Sequence, residues 1–482
     1  MSNPRSFDVI VIGAGICGLA AAALLARSGR AVVVVDGGAP SPPPGVHTLH
    51  ALDPALLKAL RLAKRGLRFV VRDMNLVGLR ADGRHLVLTR DAQATALALA
   101  CHSRADAEAW PRTQGEFYAL ARAMRPHWWN AQSGEALARV HDKLEPFRRM
   151  GAAAWLDSRF ESEALKATLA FDAVSGGLSP FEPGSALTLL WRVAQEMCGL
   201  QGAVAMVAGG PRALVELFAA AARDFGADLR TASPVARILV DGGKAMGVRL
   251  ATGEVIAAPV VLSSLSRRLT LCSLLSDSEA GLGESVRLER EVPRVGAARV
   301  TLTLGVAPQF KGASVPMTAR FVSAEKLESY AAAHAAACAG RLADEIPMEL
   351  TVPTAADSAL VPAGRHLVSA LLRPVPLLPQ QGWAALKSEL TQKVLRGLRP
   401  YVPDLAHHVV DTEVTTPDDI LVRNGLVDGA AGVAHMLADW PTRVGTPLEG
   451  LMLCGAAAEP MPAISGRAAR IVAEKIVKDA KR

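Results

Sequence analysis

The chain has 482 residues, half of them hydrophobic and 21% charged, which provides for two or more domains with substantial cores and excludes a disordered protein. The formal net charge of +7 is scattered in short spots such as Lys64-Arg65 and Arg267-Arg268, without the basic stripe of a nucleic-acid-binding surface. The six cysteines form no CxxC pair and the histidines no HxxxH or HExxH, so neither a metal site nor a redox dithiol is indicated, and the wide thiol spacing fits a reduced, cytoplasmic protein.

Residues 8–36 read as strand, helix, strand: DVIVIG, AGICGLAAAALLARSGR and AVVVVD. Both strands are continuous apolar runs, as expected of strands buried on two faces. Glycines at 13, 15 and 18 and the second strand that follows exclude a signal peptide or a membrane span here. Gly13-Ala14-Gly15-Ile16-Cys17-Gly18 is a GxGxxG placed between strand and helix, with Asp36 at the end of the next strand, the full context of a dinucleotide fingerprint. Gly13 permits the tight turn, Gly15 lets a pyrophosphate approach the backbone, and Gly18 allows close helix packing. Free N–H groups at the helix start, from Ala14 and Ile16 onward, attract the phosphates. Asp36 would accept from the adenosine ribose and repel a 2′-phosphate. The fingerprint alone does not separate FAD from NAD.

Residues 37–46, GGAPSPPPGV, form a proline-stiffened loop, and 68–90 contain the strand-like runs LRFVV and HLVLT with Gly83 in a turn. Residues 93–170 read as helical and carry Trp110, Trp128, Trp129 and Trp155. The second cofactor-like block, 204–264, opens on Gly209-Gly210, continues as a helix with Pro211 near its first position, and ends in short strands. In the strand at 297–306, Val300, Leu302 and Leu304 point to one face and Thr301, Thr303 and Gly305 to the other. One face packs on a core and the other is expected to wall a substrate pocket. The chain closes with the strand-to-loop LEGLMLCGA and the helix ISGRAARIVAEKIVKDAKR. Cys454 reads as a small buried strand residue rather than a covalent flavin link.

On these segments the chain resembles the phytoene and carotenoid desaturase-like family of FAD-dependent oxidoreductases, related to the flavin amine oxidases, and within it the pyridine nucleotide-disulphide oxidoreductase domain-containing branch. The resemblance runs in order through the N-terminal block, SPFEPGSALTLLW at 179–191, AMVAGGPRALVELFAAAARDFGADLRT, SPVARILVDGGKAMGVRLATGEVIAAPVVLSS, TPDDI at 416–420, and GLMLCGA with ISGRAARIVAEKI. It implies an α/β fold, with a Rossmann-type FAD-binding domain made of 1–75, 200–290 and 445–482, and an inserted α+β substrate domain made of 76–199 and 291–444. It implies FAD as cofactor, with Val235 against the adenine, Ser263 and Gly455 returning near the cofactor, and Ala463, Ile464 and Ser465 at a helix start facing the flavin pyrimidine. Such a helix end would stabilise negative charge near N1 of a reduced flavin.

Arg299, on the strand where relatives often carry Lys, and His435 are the two candidates for a catalytic group, each also readable as structural. Pro460-Met461-Pro462-Ala463 departs from the Pro-Gly-Gly-Gly run of relatives. Three readings stand open. One is a dehydrogenase or desaturase acting on a lipophilic substrate, with an unknown electron acceptor and a possible peripheral membrane contact. Another is an amine oxidase, disfavoured by only three tyrosines. The last is a non-catalytic flavoprotein that keeps the fold.

Overall fold

The computed structural model describes residues 6–38, 46–129, 134–281, 294–312, 314–424, 443–459 and 465–480, with isolated residues between 282 and 293. The chain starts with β1 (Val9–Ile12), α1 (Ile16–Arg27) and β2 (Val32–Val35). After α2 (Pro54–Ala59) come three short strands, β3 (Phe69–Val71), β4 (Leu76–Gly78) and β5 (Leu86–Leu88). A helical stretch follows: α3 (Ala92–Leu99), α4 (Arg104–Trp129), α5 (Gly134–Arg149), α6 (Ala152–Asp157), α7 (Glu163–Ala173) and α8 (Ser185–Ala194). The hairpin β6 (Glu196–Met197) and β7 (Leu200–Gln201) leads to β8 (Met206–Val207) and α9 (Gly210–Asp224). Then come β9 (Asp228–Arg230), β10 (Val235–Asp241), β11 (Lys244–Leu250), β12 (Val255–Ala257) and β13 (Val260–Ser263). The C-terminal half supplies β14 (Val295–Leu304), β15 (Arg320–Val322), β16 (Met348–Thr351), β17 (His366–Pro376), β18 (Val409–Thr415) and β19 (Leu451–Leu453), and ends in the helix Arg467–Asp479.

Five strands form a parallel sheet in the order β19-β13-β1-β2-β9. Its strands are buried on both faces, and the period of two explains how. Val9, Val11, Val32 and Val34 face α1, α9 and the C-terminal helix, where Leu19, Phe218 and Val472 complete one core. Ile10, Ile12, Val33 and Val35 face the antiparallel meander β10-β11-β12, packing on Ile238, Val248 and Ile256. The alanine run of α1 lets that helix lie close to the sheet and to both neighbouring helices, since a methyl is all that stands between the backbones.

The second sheet has seven strands, β18-β14-β17-β16-β15-β4-β5, antiparallel except where β15 runs beside β4. β14 alternates as its sequence expects: Val300, Leu302 and Leu304 are fully buried against the helix Trp383–Leu398, whereas Arg299, Thr301 and Thr303 are only half-buried. Near β4, β5 and β15, a separate core built from α4, α6, α7 and α8 packs Trp128, Phe171 and Leu190 together with Tyr330, whose hydroxyl donates to the Ala167 carbonyl at 2.8 Å. Among the described residues no helix is long and apolar enough to cross a membrane, and no group of His, Cys, Asp or Glu is placed to hold a metal ion.

Candidate functional site

The fingerprint folds as a set of close approaches that side chains would block. Gly13 has φ +95°, and a Cβ there would lie 2.4 Å from Ser264 Oγ. Gly18, inside α1, would place a Cβ 2.0 Å from the Gly13 carbonyl oxygen, so its close packing is against the turn itself. Gly15 differs from both: nothing lies within 4 Å of where its Cβ would be. It forms the extended N-cap of α1, without a side-chain cap and with no acidic residue in the first turn. Uncapped N–H groups beside open space are what an incoming pyrophosphate requires.

Asp36 stands at the tip of β2, where its carboxylate accepts from Ala14 N at 2.6 Å and from Gly38 N at 2.8 Å. The Asp36 carbonyl accepts from Ser233 N at 2.7 Å, which brings Val235, the first residue of β10, to the same corner. Ser263 ends β13, but its hydroxyl pairs with Thr270 Oγ1 at 2.7 Å inside the following turn. The neighbouring Ser264 reaches the fingerprint instead. Its Oγ donates to the carbonyls of Ile12 and Gly13 at 3.0 and 3.1 Å. Gly455, just past β19, approaches so closely that a Cβ would stand 2.2 Å from the Ser264 carbonyl oxygen. Gly13, Ser264 and Gly455 thus gather outside the C-terminal ends of β1, β13 and β19. There the strand order changes direction, which is where open α/β sheets take their ligands.

The C-terminal helix starts nearby. Ser465 is fully buried; its hydroxyl donates to Glu459 and accepts from Arg467 N at 3.0 Å. Arg467 Nη1 donates to Glu459 at 3.0 Å, and the guanidinium lies 4.3 Å over the Trp129 ring. Burial pushes the Glu459 carboxyl up, with the Arg467 charge opposing that shift. Burial, reinforced by Glu459, pushes the Cys17 thiol up to about 12, and burial likewise raises Cys454. Neither is a thiolate near neutral pH. Ala463, Ile464, His435, Asp439 and Trp440, and most of the 37–46 and 460–463 loops, lie outside the described residues.

Arg299 projects from the half-buried face of β14, and its Nη1 donates to Ser369 Oγ at 3.3 Å. Burial, then the Arg299 charge, pushes His47 down to about 4, so that imidazole is neutral at pH 7. The sequence reading missed His47, and a lone histidine beyond a proline-rich loop carries no pattern that would have singled it out.

A cavity of about 150 Å³ opens between the helical layer and the edge of the seven-stranded sheet. Trp110, Phe117, Trp155, Phe160, Leu189 and Met74 make much of its wall. Residues 297–306 do not line this cavity; Val300, Leu302 and Leu304 pack on the helix Trp383–Leu398, and Arg299, Thr301 and Thr303 occupy the other, half-buried face. Asp172, Arg192 and Arg320 do line it and belong to a buried ionic cluster. Arg320 reaches Asp172 at 2.5 and 3.2 Å and Glu349 at 2.7 Å, while Arg192 and Arg373 each stand 3.8 Å from Asp172. Burial alone would raise the Asp172 carboxyl, but Arg320 and then Arg192 hold it well below the usual carboxylate range. His50 abuts the cluster and is held well below its ordinary value by burial and then by Arg192 and Arg320.

Fold and site together define an FAD-dependent oxidoreductase. The chain is 30% identical to mouse pyridine nucleotide-disulfide oxidoreductase domain-containing protein 2, over 98% of this chain and 94% of that protein. It belongs to that protein's family. It is also 25% identical to the zeta-carotene-forming phytoene desaturase of Myxococcus xanthus, over 97% of this chain and 93% of that one. No family model matches. Among solved structures, a putrescine oxidase variant superposes with a TM-score of 0.62 at 16% identity, covering 99% of each chain. An oxidoreductase from Methanosarcina mazei gives 0.61 at 16%, covering 98% of this chain and 100% of that one. At these identities the two structures attest the fold alone.

Replacing Asp36 with Ala removes the partner of Ala14 N and, in the reading proposed below, the acceptor for the adenosine ribose. FAD binding is expected to weaken by about 1–3 kcal/mol, the scale of hydrogen bonds to a charged group. Fluorescence titration of the apoprotein with FAD measures this, and an unchanged affinity would place the adenosine elsewhere.

Proposed function

We propose that the protein oxidises a lipophilic small molecule by dehydrogenation, in the manner of a desaturase. The single observation that carries this reading is the cavity of about 150 Å³ with its wall of indole, phenyl and aliphatic side chains. Such walls take apolar bodies and leave orientation to a few polar groups. The desaturase named above, matched over nearly its whole length, adds support. Bound FAD supplies the hydride-accepting N5.

The chain's own residues do the rest. Gly13 and Gly18 shape the turn and Gly15 leaves it open, so that the N–H groups at the start of α1 can meet the pyrophosphate, with Ser264 fixing the turn by its two hydrogen bonds. Asp36 accepts from the ribose and Val235 covers the adenine edge. Ser465, just before the C-terminal helix, brings the positive end of that helix to the flavin pyrimidine. His47, neutral and with Nδ1 lacking a hydrogen-bond partner, offers an uncharged polar contact near Arg299. Arg299 supplies fixed positive charge on the sheet.

The cofactor domain in this reading comprises 1–75, 200–290 and 445–482, and the substrate domain 76–199 and 291–444. It is supported by the parallel sheet drawing its strands from the first set while β4, β5 and β14–β18 join in the other sheet.

The reductant is the substrate itself rather than NADPH. The Gly209-Gly210 turn that opens α9 has its Gly209 N–H donated to Asp357 at 2.7 Å. A carboxylate already sits where a second pyrophosphate would bind. The purified protein is expected to carry releasable FAD, identified by mass, and to keep its oxidised-flavin absorbance when mixed anaerobically with NADPH or NADH. Rapid, saturable bleaching by either nucleotide alone, or a released cofactor with the mass of FMN, rejects the reading.

A further inference from the structure

The segment after β19 carries a carboxylate that solvent does not reach. The Glu459 side chain is fully buried, and both of its oxygens are engaged: Oε1 accepts from the Ser465 hydroxyl and Oε2 from Arg467 Nη1 at 3.0 Å. Both donors favour the ionised form. Both also belong to the start of the C-terminal helix, where Gly466 is the N-cap and Arg467 the first residue. Ser465 Oγ in turn accepts from Arg467 N at 3.0 Å, so one hydroxyl links the carboxylate to the first N–H of that helix. The far side of the Arg467 guanidinium meets Gln195 Oε1 at 3.4 Å and lies over the Trp129 ring. The helix start is held firmly as well. Asp53 N donates to the Ser465 carbonyl at 2.8 Å, and a Cβ on Gly466, at φ +70°, would stand 2.3 Å from Leu56.

The same carboxylate stands beside the dinucleotide fingerprint. Cys17, in the first turn of α1, is within reach of the Glu459 charge and lies against the backbone of Gly466 and Ala456. The start of α1 and the start of the C-terminal helix therefore converge, and neither has an acidic residue in its first turn. Two positive helix ends and the Arg467 guanidinium face one buried anion, Glu459. A buried ion pair is seldom retained for stability alone, since an apolar pair of similar volume does as well or better. In a site shielded from water, its charge acts on its surroundings with little screening.

We propose that Glu459 sets the reduction potential of the bound FAD: its negative charge, fixed at the start of the C-terminal helix, offsets the positive potential there and so disfavours the anionic, reduced flavin. The inference rests on the reading that places the flavin pyrimidine at that helix start, and adds the residue that moderates its charge.

The test is the midpoint potential of the bound flavin, measured by dye-coupled reduction of the FAD-loaded protein. Glu459→Gln keeps the shape and one acceptor while removing the charge. It is expected to shift the flavin equilibrium toward the reduced form at least tenfold, a rise of about 30 mV for a two-electron couple. Glu459→Asp keeps the charge and is expected to stay within about threefold of the wild type. Glu459→Gln combined with Gln195→Glu leaves Arg467 paired, which guards against misfolding, but moves the carboxylate away from Ser465. It is expected to shift in the same direction as Glu459→Gln, at least threefold. An unchanged potential in either variant that carries Glu459→Gln, or an equal shift in Glu459→Asp, overturns the proposal. Flavin content of the wild type separates the outcomes: a flavin-loaded protein whose potential is indifferent to residue 459 removes only this inference, whereas a chain that cannot be loaded with flavin removes the oxidoreductase reading and this inference with it.

Discussion

Gly15→Val is expected to yield a folded protein that holds no FAD, with affinity lowered at least about a hundredfold, or roughly 3 kcal/mol. The backbone tolerates the change, because Gly15 has φ −70° and ψ 171°, an extended conformation that suits a β-branched residue. The side chain meets nothing of the protein, since no atom lies within 4 Å of the added Cβ. What it fills is the space above the uncapped start of α1. Gly18→Val makes the opposite demand. Its Cβ would fall 2.0 Å from the Gly13 carbonyl oxygen, so α1 must leave its place on the turn and the sheet. That variant is expected to lose stability as apoprotein, by about 1–3 kcal/mol or more for the overpacking alone. Urea unfolding of both apoproteins beside FAD titration tells the two glycines apart. Stoichiometric flavin in Gly15→Val would remove the fingerprint from the binding site.

That contrast also marks how far the sequence could be followed. The strand–helix–strand unit, its glycines and Asp36 are local, and spacing alone placed them. β14 alternates as its residues indicate, and α9 starts at Gly210 with Pro211 in its first turn. No sequence signal separates Ser264 from Ser263, because the two are adjacent in one strand ending, and only the pairing of β13 beside β1 decides which hydroxyl reaches the Gly13 turn. The ionic cluster was missed for a similar reason. Asp172 sits in LAFDAV, Arg192 in LLWRVA and Arg320 in TARFV, each a single charge inside an apolar run. A lone charge in such a run is the available signal that a helix or strand carries an ion on its buried face. That α7, α8 and β15 turn those faces toward one another is a tertiary fact, without a trace in spacing. The cavity walled by α4, α6 and α8 has no such trace either, and for β14 alternation says that a strand has two faces, not what covers each.

Arg320→Met is expected to destabilise the protein more than other single changes in the second sheet, by about 3–5 kcal/mol, because it strands Asp172 and Glu349 without their shared partner. Glu349, on β16, is buried, and Asp172, on α7, is largely buried at the cavity wall, so neither carboxylate is freely solvated. The pH dependence follows from the direction of the Asp172 shift. Its folded-state pKa lies below the unfolded value of roughly 3.9, so the stability it contributes is fully present above that value and is lost as pH falls through the folded-state pKa. In Arg320→Met, burial dominates and Asp172 protonates more readily, which makes the acid form tolerable. The gap between wild type and variant is therefore expected to be widest near neutral pH and to narrow below about pH 4. Urea unfolding of the FAD-loaded proteins across that range measures it. A gap that stays constant with pH, or is smaller than about 1 kcal/mol at pH 7, would mean that Arg320 contributes packing rather than charge, since its aliphatic stem is as buried as its head.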